Sequence, residues 1–281
     1  MKSFPKELKE ALAKRRKEES FRVLKTGANL VDFSSNDYLG FAKKESTQKE
    51  ALKTLEKTAF VNGSSGSRLV SGTHELHHTV EKFLADYHQS ESALLYNSGY
   101  DANTGLFSAV LQKGATILYD ELIHASIRDG IRLSNAKAYK FKHNSISDLE
   151  KKFTNCNGPV YIAIEAVYSM DGDVAPLKEM VHFSKENNCF LIVDEAHSNG
   201  VFGSKGKGLL QELNLEKEVF ARVHTFGKAL GCHGAVVLGA SELRDYLINF
   251  SRPFIYTTAA SLHAVATVSY THLTLPTICS V

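Results

Sequence analysis

The stretch "NCFLIVDEAHSNGVFG", residues 188–203, begins with an apolar run and then places Asp194, Glu195 and His197 close together. A run without polar alternation is typical of a strand that is buried on both faces of a parallel sheet. In α/β sheets, ligands bind at the carboxyl ends of the strands. The stretch therefore predicts an α/β fold with a polar site where this strand ends.

Similar short β-rich runs alternate with helical patterns, such as 74–88 and 175–187, along most of the chain. The predicted strands are "SALLYN", "ATILYD", "AKAYKF", "PVYIAIEA", "CFLIVDEA", "ARVHTF" and "GAVVLG". This order predicts a mostly parallel sheet covered by helices on both faces.

The predicted organisation has three parts. Residues 1–40 form an N-terminal segment with an amphipathic helix over 5–19, followed by a short strand and a turn in "NLVDFSSNDYLG". Residues 41–265 form the large domain, in which "NGSSGSRLVSGTHE" is a loop, and residues 269–281 form a tail.

Composition and charge limit the classes of protein to which this chain can belong. With 43% hydrophobic residues, the 281-residue chain can bury one large core or two smaller ones, and its net charge of +2 gives no case for nucleic acid or an anionic membrane. We expect no membrane span, because no segment approaches about 18 consecutive apolar residues. Four cysteines without a C-x-x-C pair favour a reducing cytoplasmic location.

Two other interpretations of "LIVDEAH" fit the sequence less well. An ATP-driven helicase would pair this strand with a phosphate-binding G-x-x-x-x-G-K-[ST] loop, and neither Gly-Lys pair, at Lys207 or Lys228, has the required spacing. A metal site lacks an obvious third ligand beside Asp194 and His197. For Asp194 alone, capping of a following helix remains possible.

Lys228 in "RVHTFGKALGCHG", residues 222–234, favours a different chemistry. By itself it fits a surface lysine. Pyridoxal phosphate, however, requires a lysine for covalent attachment and an acid that keeps its ring nitrogen protonated, which Asp194 can supply. A helix N-terminus can bind its phosphate through backbone N–H groups, and "NSGYDANTG" provides one at Ser98, Gly99 and Tyr100.

A series of ordered motifs between about residues 5 and 265 strengthens this hypothesis. The motifs are "FSSNDYLG", "GSSGSRLVSGTHELH", "YNSGYDANTG", "IHASIRDG", "EAVYSMDGD", "VDEAHSNGVFG", "HTFGKALG" and "RPFIYTTA". In them the chain resembles the α-oxoamine synthases, fold-type I pyridoxal-phosphate enzymes that condense an amino acid with an acyl-CoA and release carbon dioxide. "FSSNDYLG" and "ALAKRRKEESFR" favour the biotin-biosynthesis branch, whose expected substrates are L-alanine and pimeloyl-CoA.

Other branches of the family remain open, namely glycine C-acetyltransferase, 5-aminolevulinate synthase and serine palmitoyltransferase. A pyridoxal-phosphate protein without acyltransferase activity also remains open, since a fold alone does not fix a function.

The resemblance implies a role for each matching residue. Lys228 would bind the cofactor and move the α-proton, while Asp194 would pair with the ring nitrogen. The other implied cofactor contacts are His197 and Ser169 at the ring hydroxyl, His124 stacked on the ring, Gly99, Tyr100 and Thr225 at the phosphate, and Glu165 in support.

The resemblance further implies that Arg22 and Asn36 line the substrate pocket. Thr258 would reach the phosphate bound by the other subunit, which implies a homodimer with shared sites. Asp171 and Asp173 are interpreted as turn residues, because "MDGD" has the composition of a tight turn.

The end of the chain departs from the family. "SYTHLTLPTICSV", residues 269–281, matches no family motif and shows no helical or strand period. Members of the family continue into a small C-terminal domain with an arginine for the substrate carboxylate. We therefore expect a truncated chain with a foreign tail, which binds the cofactor but is poorly soluble or lacks appreciable turnover.

Overall fold

The computed structural model describes residues 4–24, 31–58 and 62–273. The chain divides into two units, residues 1–35 and 36–281. In the first unit, the predicted amphipathic helix is confirmed as α1 (Lys6–Lys17), and no residue of this helix is buried.

The strand predicted within residues 29–40 is wrong for the described part. Residues 31–40 contain a bend and a turn but no strand, and residues 29 and 30 lie outside the described residues. The polar sequence "SSND" explains this difference, since Ser34 and Ser35 donate their backbone N–H groups to Asp32 Oδ1 and so form a local turn instead of a ladder.

The described residues of the second unit contain ten further α-helices and all seven predicted strands. The helices are α2 (Glu45–Glu56), α3 (Glu75–Tyr87), α4 (Gly99–Val110), α5 (Ala125–Leu133), α6 (Ile146–Phe153), α7 (Leu177–Glu186), α8 (Leu209–Glu212), α9 (Ser241–Phe250), α10 (Arg252–Ile255) and α11 (Leu262–Leu273). The strands are β1 (Ser92–Tyr96), β2 (Thr116–Asp120), β3 (Lys137–Phe141), β4 (Val160–Glu165), β5 (Phe190–Asp194), β6 (Ala221–Thr225) and β7 (Ala235–Gly239).

These strands form one sheet in the order β1-β7-β6-β5-β4-β2-β3. Among the described strands, β7 alone runs antiparallel to its neighbours β1 and β6. The register pairs Glu165 with Asp194 and Asp194 with Val223. The predicted, mostly parallel sheet is therefore confirmed, and the ends of β4, β5 and β6 lie side by side.

Alternate residues of the strands enter the cores on opposite faces of the sheet. Ile192 joins a core with α4, α5 and α9, whereas Leu191 and Val193 join a core with α6, α7 and α8. Burial on both faces explains why β5 lacks polar alternation.

Helix α4 begins directly beyond β1 because Ser98 caps it. The Ser98 hydroxyl accepts the Asp101 N–H at 3.1 Å and donates to Asp101 Oδ2 at 2.9 Å. The cap and the early acidic residue both stabilise a helix start. The unpaired N–H groups of the first turn are thereby placed at the carboxyl edge of the sheet.

Glu195, next to Asp194, is fully buried in the protein core. Its Oε1 accepts hydrogen bonds from Ser198 Oγ at 2.9 Å and the Leu210 N–H at 3.1 Å, and its Oε2 lies 3.2 Å from His224 Nε2. Burial favours the neutral acid, but the neighbouring His224 and the positive charge of Arg222 hold the pKa of Glu195 below its ordinary value. Glu195 is therefore a buried structural residue that accepts two hydrogen bonds.

Helix α11 continues past the predicted tail boundary at residue 269. The sequence predicts no helical period in this tail. That prediction is wrong for residues 269–273, which belong to α11. His272 is buried, with its ring centroid 5.4 Å from that of Tyr87 and 5.5 Å from that of Phe226. Burial against these aromatic rings stabilises the helix end, while residues 274–281 lie outside the described residues.

Among the described residues, no helix has both the length and the apolar character that a membrane span requires.

We predict that Glu195→Ala lowers the free energy of unfolding by about 2 to 4 kcal/mol, because it leaves the buried Ser198 hydroxyl and Leu210 N–H without their acceptor, at a cost of about 1 to 3 kcal/mol for each group. Denaturant titration measures this loss. Glu179→Ala, at an exposed position on α7, is the matched control and should change the stability by less than about 0.5 kcal/mol. Equal effects of the two substitutions would contradict the structural role of Glu195.

Candidate active site

A cavity of about 150 Å³ lies at the carboxyl edge of the sheet. Seven of the predicted site residues line it, namely Gly99, Tyr100, His124, Glu165, Asp194, Thr225 and Lys228. Asn103, Ser126, Ala196 and Val223 complete the lining. The strand ends thus bring together most of the residues that the sequence predicts.

Asp194, the last residue of β5, is held by two hydrogen bonds. Its Oδ2 accepts from Asn103 Nδ2 at 2.7 Å and its Oδ1 accepts the Ala196 N–H at 2.8 Å. The carboxylate is 6% exposed, so it keeps its orientation while facing the cavity. Asn103, on α4, was not predicted as a site residue, although it lies within the motif "YNSGYDANTG".

The same asparagine is connected to His124. Asn103 Nδ2 also donates to Ser126 Oγ at 3.0 Å, and the Ser126 N–H donates to His124 Nδ1 at 3.3 Å. Because Nδ1 accepts this N–H, the hydrogen of a neutral His124 ring is on Nε2. Burial lowers the pKa of His124, and the charge of Lys228 adds to this against the opposing charge of Asp194.

Lys228 lies in the loop that follows β6, and its Nζ is 2.7 Å from His197 Nε2. Burial lowers the pKa of Lys228, whereas the carboxylates of Asp194 and Glu165 act in the opposite direction. A lysine whose charged form is partly destabilised is suited to losing and regaining a proton.

Glu165 ends β4 beside Asp194 and is 2% exposed. Burial and the adjacent charge of Asp194 raise the pKa of Glu165 to about 8, so its carboxyl is mostly protonated at neutral pH. Its Oε1 has no hydrogen-bond partner among the described residues. The cavity therefore contains one charged carboxylate and one neutral acid with a free hydrogen-bonding atom.

The first turn of α4 closes one side of the cavity. A Cβ on Gly99 would lie 3.2 Å from Thr225 Oγ1, so a side chain there would crowd the space between the helix and β6. Tyr100 directs its hydroxyl away to Asp129 Oδ2. The backbone N–H groups at Gly99 and Tyr100 are consequently the groups that this turn offers to an anion.

Five predicted residues are not part of the cavity lining. One of them, His197, contacts the lining residue Lys228 through its side chain. Ser169 is exposed in the turn after β4, and Thr258 is exposed with its carbonyl accepting from Asn97 Nδ2 at 2.7 Å. Asn36 Oδ1 accepts from Tyr38 Oη at 3.1 Å. Arg22 belongs to the other unit of the chain. The roles expected for these residues stay predictions.

Asp173, interpreted from sequence as a turn residue, also binds a neighbouring loop. Its Oδ2 lies 2.5 Å from His143 Nε2 and accepts from Asn144 Nδ2 at 2.8 Å. The other ring nitrogen of His143 is 3.0 Å from Asp120 Oδ1 at the end of β2. These contacts anchor the loop that carries Ser169 to the edge of the sheet.

The residues of the cavity fit pyridoxal phosphate. A lysine, a strand-end carboxylate and a helix N-terminus face one space, and the buried Glu165 Oε1 and Asn103 Oδ1 both lack partners among the described residues. No group of three His, Cys, Asp or Glu side chains suited to a metal ion occurs in the described ranges.

Comparisons with known proteins agree with this geometry. The family model for aminotransferase class I and II matches residues 28–277. The chain is 44% identical over 279 residues to 8-amino-7-oxononanoate synthase of Emericella nidulans, covering 93% of this chain and 68% of the relative. It is 39% identical over 245 residues to the enzyme of the same name from Lysinibacillus sphaericus, covering 86% of this chain and 62% of the relative.

Among solved structures, Sphingomonas wittichii serine palmitoyltransferase superposes with a TM-score of 0.81 at 34% identity, over 86% of this chain and 61% of that chain. The chain thus spans between 61% and 68% of the length of these proteins.

We predict that Glu165 makes the protein less stable as the pH rises from about 6.5 to 8. A pKa of about 8 in the folded state, against about 4.3 in the unfolded chain, means that the folded state holds the extra proton in this range. Stability is then greatest below the unfolded pKa and falls by up to about 1.4 kcal/mol per pH unit as the pH rises.

Denaturant titration of the wild-type protein and Glu165→Gln at several pH values measures this effect. The histidines with lowered pKa values give the opposite slope below about pH 6.5, and the raised pKa of His143 gives a slope of the same sign above it. The comparison with Glu165→Gln removes both contributions and leaves that of Glu165. The wild type should lose stability relative to Glu165→Gln as the pH rises, because only the wild type has a carboxyl that must give up its proton, whereas Glu179→Gln should follow the wild type. Parallel curves for wild type and Glu165→Gln would contradict the protonated state of Glu165.

Proposed function

Because this chain belongs to the aminotransferase class I and II family, we propose that it forms the cofactor-binding part of a pyridoxal-phosphate-dependent 8-amino-7-oxononanoate synthase. The proposed reaction condenses L-alanine with pimeloyl-CoA and yields 8-amino-7-oxononanoate, CoA and carbon dioxide. The observation that carries the proposal is the 2.7 Å contact between Lys228 Nζ and His197 Nε2, beside a cavity that Asp194 also lines.

When bound, pyridoxal phosphate supplies an electron sink that makes the Cα hydrogen of an amino acid removable. In the proposal, Asp194 keeps the ring nitrogen protonated, since an opposite charge nearby stabilises the protonated form. The two hydrogen bonds from Asn103 and Ala196 fix its orientation.

Lys228 would hold the cofactor and would accept the Cα proton of the amino acid at Nζ. Its lowered pKa increases the fraction of amine that is free to accept a proton. His197 remains in contact with this nitrogen and limits its movement. Orientation of the base relative to the reacting carbon is itself a source of rate.

The remaining residues bind and orient. The N–H groups at Gly99 and Tyr100, with Thr225, would hold the phosphate, and His124 would lie against the ring. Because burial lowers the pKa of His124, a neutral His124 would add no second cation beside the protonated ring of the cofactor. Glu165, protonated at neutral pH, adds a hydrogen-bonding group at the cavity edge without another negative charge.

Four further residues complete the proposal. Ser169 binds the ring hydroxyl after a movement of its loop, and Arg22 and Asn36 line the substrate side. Thr258 reaches the cofactor phosphate of a second copy of the chain, which makes the active form a homodimer with shared sites. The exposure of Thr258 leaves it accessible for that contact.

A serine palmitoyltransferase activity is the second candidate, because the Sphingomonas enzyme superposes closely. One observation favours 8-amino-7-oxononanoate synthesis over it. The relatives with that name reach 44% identity, against 34% for the palmitoyltransferase structure.

A panel of amino acids and acyl-CoA thioesters tests the proposed function through the release of free CoA. L-Alanine with pimeloyl-CoA should give the highest kcat/KM, at least about tenfold above L-serine with palmitoyl-CoA or glycine with acetyl-CoA, because side-chain contacts in a pocket give about 10- to 200-fold discrimination.

The panel is run on this chain and on a fusion that carries the remaining C-terminal part of the Emericella relative. The fusion separates a wrong substrate from an incomplete substrate pocket. A preference of the fusion for L-serine and palmitoyl-CoA would favour the second candidate. Cofactor binding without CoA release from any pair would favour a pyridoxal-phosphate protein of another activity.

A further inference from the structure

We infer that Tyr38 is a positioning residue that holds the His197 ring with its Nδ1–H toward Tyr38 and its Nε2 lone pair toward Lys228. Tyr38 Oη lies 2.7 Å from His197 Nδ1, and the opposite ring nitrogen lies 2.7 Å from Lys228 Nζ. The catalytic consequence rests on the proposed function, whereas the hydrogen-bond arrangement is a property of the protein alone.

The available hydrogens give this chain of contacts a direction. A protonated lysine has only donors, so His197 Nε2 must accept. The hydrogen of a neutral ring is then on Nδ1 and is donated to the Tyr38 oxygen. The Tyr38 hydroxyl hydrogen remains for Asn36 Oδ1 at 3.1 Å. The His197 Nδ1–H and the Tyr38 hydroxyl thereby each donate to one acceptor.

The opposite tautomer of His197 leaves some of these groups without a hydrogen-bond partner. If His197 carried its hydrogen on Nε2, that N–H would face the ammonium donors of Lys228. Tyr38 would then have to donate its single hydrogen to Nδ1 and leave Asn36 Oδ1 without it. The first arrangement therefore agrees with all three measured contacts.

The backbone fixes Tyr38 relative to Lys228. Tyr38 belongs to a turn that leads into Phe41, which is buried in the core with 8% exposure. Gly231 follows Lys228 in its loop, and a Cβ there would lie 2.1 Å from the Ala42 N atom. The Gly231 N–H also donates to the Lys228 carbonyl at 2.8 Å. Close packing of these two segments leaves the tyrosine little freedom to move away.

The charge state of His197 agrees with this arrangement. Burial and the nearby positive charge of Lys228 lower the pKa of His197 to about 4, although the carboxylate of Asp194 opposes them. The ring is therefore neutral at pH 7 and retains the acceptor nitrogen that Lys228 requires.

In the proposed reaction, Lys228 becomes an ammonium when it accepts the Cα proton. A fixed acceptor at His197 Nε2 then holds Nζ, so that the proton can return to a defined position. Without Tyr38, the ring can turn its N–H toward Lys228, which places two donors against each other. Tyr38 thus acts on the lysine through the histidine, without a contact of its own to Nζ.

The tautomer of His197 can be read by long-range ¹H–¹⁵N correlation NMR on the full chain without added cofactor. The chain has 12 histidines, and the signal of His197 is the one that disappears in His197→Gln. We expect the Nδ1–H tautomer in the wild-type protein at pH 7. An Nε2–H tautomer there would overturn the inference, and this result needs no other variant.

Tyr38→Phe keeps the ring of Tyr38 and removes only its hydroxyl. We expect the His197 signal to move toward a mixture of tautomers in this variant. Tyr139→Phe is the matched control, since Tyr139 on β3 is 37% exposed, compared with 46% for Tyr38, and lies outside the site; it should leave the signal unchanged. A signal that is the same in Tyr38→Phe and the wild type would overturn the inference.

A second readout uses the cofactor-loaded protein and the exchange of the Cα hydrogen of L-alanine in deuterium oxide. Loss of one hydrogen bond should slow this exchange by about 3- to 10-fold in Tyr38→Phe, with no change in Tyr139→Phe. An unchanged rate in Tyr38→Phe would overturn the catalytic part of the inference. Because the NMR experiment contains no cofactor, a failure of the proposed function cannot be confused with a failure of the tautomer assignment.

Discussion

The parallel alignment of β4, β5 and β6 is the constraint on which the candidate site depends. Parallel neighbours end at one edge of a sheet, and the register places Glu165 beside Asp194 and Asp194 beside Val223. The loop that follows β6 then carries Lys228 back to the same edge. The apolar residues on both faces of these strands hold the alignment, so the core determines the distances within the cavity.

The polar residues at the end of β5 serve two different purposes. Asp194 faces the cavity, and His197 contacts the lysine nitrogen. Glu195, between them in sequence, points into the core and pairs with His224. Alternation along an extended chain explains why Asp194 and Glu195 point to opposite faces, while His197 lies in the turn that follows β5. A single short motif thus supplies both the candidate chemistry and the packing that holds it.

The sequence predicted the strands and the lysine because these depend on local patterns. Short β-rich runs marked every strand, although β3 is mostly exposed, and the strand ends located Asp194 and Lys228. Contacts between distant segments were missed. Asn103 and Ser126 join Asp194 to His124, and neither side chain shows a local signal for that role. The continuation of α11 depends likewise on burial of His272 against aromatic rings from other segments, which a helical period within the tail alone could not show.

The central claim is that Lys228 is the lysine that binds the cofactor, and borohydride treatment tests it most directly. The protein is incubated with pyridoxal phosphate, reduced, digested and analysed by mass spectrometry, with Lys228→Ala and the exposed Lys217→Ala treated in parallel. We predict one cofactor fixed on Lys228 in the wild type and in Lys217→Ala, and none at that site in Lys228→Ala. Equal fixation in the Lys228→Ala variant, or modification of a different lysine in the wild type, would contradict the account.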